Sequence, residues 1–179
     1  MSDTLRVLTV RQPWAWAIVH GGKDVENRTR NLAGSYRGPV AIHAAASTSG
    51  DRHHRYIEDA LASPWWDSTV LRERHGVGPY AESRWLLSAP LDTGAVIGVV
   101  DLVDVHAYNA PGGFCHGVGR GGYYNDRHAD CSPWAMPDHH HLVIANPRPL
   151  ASPIPAKGKL GLWRPDTALE AAIWEQVAW

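Results

Sequence analysis

The stretch that most constrains this chain of 179 residues is Ala95-Val96-Ile97-Gly98-Val99-Val100-Asp101-Leu102-Val103-Asp104-Val105. A half-exposed strand alternates apolar and polar side chains, because successive residues point to opposite faces. Here apolar residues fall on both faces. Such a strand has to be covered from both sides, as in a barrel or a sheet packed on each face. A second strand is expected over 39–45, with Val40, Ile42 and Ala44 sharing one side. The interruptions at Asp101 and Asp104 need partners, since a buried carboxylate without one is costly. Arg28 is one candidate cation.

The remaining pattern surrounds these strands with helices and gives an α+β class. Residues 5–10 read as a strand leading into Arg11-Gln12-Pro13. Proline suits a first helical turn, so a helix is expected over 14–20, ended by Gly21-Gly22. Residues 25–28 look extended. From about 48 to 88 the pattern turns helical, and no flexible linker brackets it, so it reads as an insertion in a single domain spanning 1–179. A glycine-rich segment over 112–132 reads as a long irregular loop, a feature often tied to function. A strand at 141–145 is followed by a proline-rich passage over 147–155 and a short strand over 160–163. Asp166 is placed to cap a last helix running through 177.

Charge narrows the partners. The formal net charge is −1 with eleven His counted neutral, which argues against a sequence-independent duplex binder. A pocket that reads one base by stacking and hydrogen bonding remains compatible with it. Nine Trp against one Phe point to half-wet aromatic surfaces as well as core, because indole pairs a large apolar face with an N–H donor. Two Cys make no disulfide framework, so no disulfide-linked partner is expected. Without a leader pattern or an apolar run of about 20 residues, a cytoplasmic chain with no membrane partner is the expectation.

Several residues have the chemistry for a site. Gln12 offers two donors and an acceptor, enough to read a base edge or an amide. Trp14 offers a stacking face; its plainer reading is a core anchor for the helix. On an extended chain Glu26 and Arg28 point the same way, with Lys23 in the turn just before them. A carboxylate between two cations suits an anionic or carbonyl ligand, whereas the plainer reading is an ion-pair cluster that ties strand to helix. His43, on the face opposite Val40 and Ile42, is a candidate to point into a cleft and act as a general acid or base. His139 and His141 would share a strand face, and either is a candidate to line the cleft beside Trp134. Cys115, His116, His128 and Cys131 are weak candidates for a structural zinc, since adjacent Cys-His does not match a usual knuckle. No cofactor is expected.

The run Leu8-Thr9-Val10-Arg11-Gln12-Pro13-Trp14-Ala15, followed by Gly22-Lys23-Asp24-Val25-Glu26-Asn27-Arg28, resembles the opening signature of ASCH domains. Gly38-Pro39-Val40-Ala41-Ile42-His43-Ala44-Ala45 is similar to that family's next strand. The resemblance implies a PUA-like fold, a small β-barrel with flanking helices and a cleft between them. It also implies a ligand such as single-stranded RNA or a nucleoside-like small molecule, bound by Gln12, Trp14, Lys23, Glu26, Arg28 and Trp134. Some relatives hydrolyse amides of acylated cytidine. That makes a hydrolase, either an amidohydrolase or a ribonuclease using Lys23, Glu26 and His43, the alternative to a binding module. A zinc-stapled interaction domain is the second alternative. In the amide-hydrolysing relatives a Thr falls three residues after the Lys, and here that position is Glu26.

Overall fold

The structure, a computed structural model, describes residues 4–48, 91–108, 131, 132 and 134–177. Residues 49–88 of the expected insertion, the expected loop as far as residue 130, and the zinc candidates Cys115, His116 and His128 lie outside the described residues.

Six strands form one curled mixed sheet: β1 (Arg6–Gln12), β2 (Val25–Arg28), β3 (Gly38–Thr48), β4 (Ala95–Ala107), β5 (His140–Pro155) and β6 (Leu162–Trp163). Their order is β2-β5-β4-β3-β1-β6. β1 and β3 run parallel, and every other neighbouring pair is antiparallel. Three register shifts between β4 and β5 mark bulges, the usual device for bending a long strand.

A helix covers each face. α1 (Trp14–His20) sets Ile18 and Val19 against Leu8, Val10, Val40, Ile42, Val100 and Leu102. α2 (Thr167–Gln176) sets Ile173 against Leu5, Val7, Ala41, Val96 and Val99. The alternation within β1, β3 and β4 thus feeds two cores, which explains why residues 95–100 are all buried. α1 approaches β4 where Gly98 leaves room: a Cβ there would stand 2.6 Å from Val19 Cγ1. Asp166 caps α2 by accepting from Leu169 N at 2.8 Å.

Two expectations need correction. The proline-rich passage over 147–155 belongs to β5, which continues to Pro155. β2 pairs with β5 only from His140 to Val143, so the prolines lie where β5 has an open edge and a missing N–H breaks no ladder. The carboxylates of β4 do not meet Arg28. Asp101 pairs with Arg148 and Asn146, and Asp104 with Arg37 and His106. Both carboxylates are partly solvated, so neither aspartate is a buried charge in search of a partner.

Candidate functional site

The end of α1, strand β2 and the turn between them place three charges in a row. Lys23 follows the glycine pair that ends α1, and its side chain is 3 % exposed. Its Nζ donates to the carbonyl of Val25 and lies 3.6 Å from Glu26 Oε2. Arg28, two residues along the same strand face, reaches Glu26 Oε1 at 3.0 Å and the Thr9 carbonyl at 2.9 Å. Its Nε is buried with no hydrogen-bond partner. Burial pushes the Lys23 amine below its ordinary 10.5; Glu26 and Asp24 oppose that shift, while Arg28 adds to it.

Two tryptophans flank the amine. Trp14 begins α1, and Trp134 arrives from a segment more than a hundred residues away. Their rings meet edge to face, 6.1 Å between centroids. Lys23 Nζ lies 5.8 Å from the Trp14 centroid and 5.5 Å from that of Trp134, within cation–π range. The Trp134 segment is held by Asn27, on the other face of β2: its amide donates to Trp134 O at 2.7 Å and accepts from Met136 N at 2.9 Å. Ser132 adds a second tie, donating to Asp24 and accepting from Trp134 N.

These groups line a cleft of about 570 Å³, a volume within the range of small-molecule sites. Lys159, Leu160 and Gly161 close it from the segment before β6, and His139 and Met136 from the segment before β5. Among the described residues its lining carries four cationic side chains, Arg11, Lys23, Arg28 and Lys159, against one carboxylate, that of Glu26. A chain of formal net charge −1 therefore concentrates positive charge at one concave place.

Trp14, Lys23, Glu26, Arg28 and Trp134 are thus brought together, while two other candidates stand elsewhere. Gln12 is 1 % exposed, and both ends of its amide are used: Nε2 donates to Asp92 O at 2.8 Å, and Oε1 accepts from Trp16 N at 3.0 Å. It pins the start of α1 to the segment before β4 and does not line the cleft. His43 does not point into the cleft either. Its ring is 1 % exposed, lies 2.9 Å from Ala156 O through Nε2, and packs edge-on to Trp163. Strand alternation had separated His43 correctly from Val40 and Ile42, but that other face is covered by α2 and the chain around Gly158.

The two histidines expected to share a face divide instead. His139 precedes β5 and lines the cleft, whereas His141 is fully buried beside Cys131. His139 was one of the two histidines expected at the cleft, whereas Asn27, Met136 and Lys159 were not anticipated as contributors to it. Asn27 had a signal, its place inside the Glu-Asn-Arg run; the others come from distant segments and had none.

A curled mixed sheet with a helix on each face carries a cationic, tryptophan-flanked cleft beside the first helix. The model of the ASCH domain matches residues 8–136. That match spans well over half of the chain, and the chain belongs to the ASCH domain family. It includes β1, α1, β2 and the Trp134 segment, and so most of the cleft. Among the described residues no helix is long and apolar enough to cross a membrane.

Proposed function

We propose that the cleft binds single-stranded RNA or a nucleoside-like molecule, with a base against the Trp14–Trp134 pair and phosphate or carbonyl oxygens toward Arg28. The observation that carries this reading is the four-to-one excess of cations over carboxylate around two indoles. Aromatic faces accept any base, and a cationic groove accepts its backbone. A PUA-like barrel, which the family resemblance implies, agrees with the curled sheet.

The test is fluorescence anisotropy with a short single-stranded RNA, a duplex of the same sequence and a set of nucleosides. Arg28→Ala is expected to weaken binding about tenfold or more, the scale of a lost charged hydrogen bond of about 1.5–3 kcal/mol. Trp14→Ala is expected to remove a stack of about 1–3 kcal/mol. Unchanged affinity in both folded variants would falsify the proposal.

The depressed amine of Lys23 beside Glu26 favours a second reading, an amidohydrolase acting on N-acylated cytidine with that amine as base or nucleophile. Against it, Glu26 stands where the hydrolytic Thr would be. Among the described residues Thr9 carries the one hydroxyl on the cleft wall, and it already accepts from Trp163 Nε1 at 3.2 Å. Incubation with N-acylated cytidine separates the two: cytidine release that Lys23→Met abolishes would establish hydrolysis, and binding without release leaves the first reading.

A further inference from the structure

Behind the Trp134 wall of the cleft, three side chains from three places in the chain converge: His106 near the end of β4, Cys131, and His141 at the start of β5. One potential ligand atom from each lies within 4.8 Å of the other two. Cys131 Sγ is 3.2 Å from His141 Nδ1, and the two imidazoles meet edge to face at 5.4 Å.

The other nitrogen of each ring is held by an oxygen. His106 Nδ1 lies 2.9 Å from Asp104 Oδ2, and His141 Nε2 lies 2.9 Å from Met136 O. Ligating histidines are held in this way, one nitrogen orienting against a carboxylate or carbonyl while the other faces the metal. An independent sign is His106 Nε2, a buried nitrogen with no hydrogen-bond partner, on a side chain only 9 % exposed. An unpaired polar atom of that kind calls for an explanation.

We propose that His106, Cys131 and His141 bind a borderline-soft divalent cation of the Zn²⁺ class, through His106 Nε2, Cys131 Sγ and His141 Nδ1. The donor set is one thiolate and two neutral imidazoles, typical of tetrahedral zinc. Binding releases the thiol proton to solvent and leaves a fourth position for water or another donor. Zn–S of about 2.3 Å and Zn–N of about 2.0–2.1 Å bring neighbouring ligand atoms to roughly 3.5 Å. The Sγ–Nδ1 pair is already near that separation, so His106 makes the main adjustment. The ion would join the ends of β4 and β5 to the segment that carries Trp134 and Met136, and so stiffen one wall of the cleft.

The experiment loads the full chain with Co²⁺ as a spectroscopic probe and with Zn²⁺ for stoichiometry, using wild type, Cys131→Ser, His106→Gln and His141→Gln. The proposal expects a thiolate-to-cobalt charge-transfer band and one equivalent of Zn²⁺ in wild type. It also expects the band to vanish in Cys131→Ser and Zn²⁺ affinity to fall tenfold or more in His106→Gln. His141 is fully buried, so its variant counts only where circular dichroism shows a native fold. Nitrogen chemical shifts of the wild-type imidazoles give a measurement free of mutation: Zn²⁺ should move His106 Nε2 and His141 Nδ1. Absence of stoichiometric binding by folded wild type overturns the proposal. So does binding lost in Cys131→Ser but undiminished in His106→Gln, since that would assign the ion to Cys131 with other ligands.

Discussion

At the scale of single residues, Lys23 and Gln12 are both buried polar groups but meet that condition differently. Gln12 is neutral and fully bonded to backbone, so its burial costs little. Gln12→Ala would take the side-chain acceptor from the buried N–H of Trp16 and cut the tie to the Asp92 carbonyl, for a loss of about 1–3 kcal/mol. Urea unfolding measures that loss, and ligand affinity in the still-folded variant is expected to stay unchanged, because Gln12 lies outside the cleft. Lys23 carries a charge that burial disfavours. Its folded pKa lies below the 10.5 of the free side chain, so between those two values the unfolded chain holds a proton that the folded chain has shed. Stability then rises with pH across that window and is level on either side of it. The stability of wild type relative to Lys23→Met is therefore expected to climb as pH approaches 10.5 from below. A difference that stays flat from neutral pH to 10.5 would show that the amine keeps its ordinary pKa.

Elements show where sequence patterns were informative. β1, α1, β2 and β3 are local objects: an alternation, a proline, a glycine pair, and the pairing of Glu26 with Arg28 along one strand face. Each could be read because its determinants lie within a few residues. β5 could not be read past Ala145, because proline normally ends a strand; its tolerance there depends on β2 stopping at Val143, a fact of tertiary structure. The meeting of α1 with β4 is equally non-local. Gly98 is the position on β4 where the helix comes closest, and an added Cβ would lie 2.6 and 2.9 Å from the two methyls of Val19 and 3.1 Å from Arg148 O. Valine has a stiff χ1 and here is buried, so the methyls cannot swing aside. Gly98→Ala is expected to cost about 1–3 kcal/mol by overpacking. Adding Val19→Ala should recover part of that cost in a double-mutant cycle, whereas strict additivity would place the strain elsewhere.

Over the whole molecule, the informative quantity is the distribution of charge. The tally of 17 basic and 18 acidic residues argues for weak phosphate attraction when charge is averaged over the chain. Folding gathers Arg11 from β1, Lys23 and Arg28 from around β2, and Lys159 from the segment before β6 around one concavity. Two acids pair elsewhere, Asp101 with Arg148 and Asp104 with Arg37. Net charge could not reveal this, since it depends on which segments the sheet order brings together. Salt dependence is the measurable consequence. Lys23 is sealed against its carboxylate and backbone partners, which among the described residues leaves Arg11, Arg28 and Lys159 as the cleft cations available to a single strand. With about 0.7 counterions released per phosphate neutralised, three contacts give a slope of log K against log salt near about −2. Lys159→Ala and Arg11→Ala should each flatten that slope by about 0.7 and weaken all sequences alike. Trp14→Ala should lower affinity and leave the slope unchanged, because stacking releases no counterions. A slope near zero in wild type would mean that the cleft takes an uncharged nucleoside and that its cations serve the fold and the recognition of carbonyl oxygens.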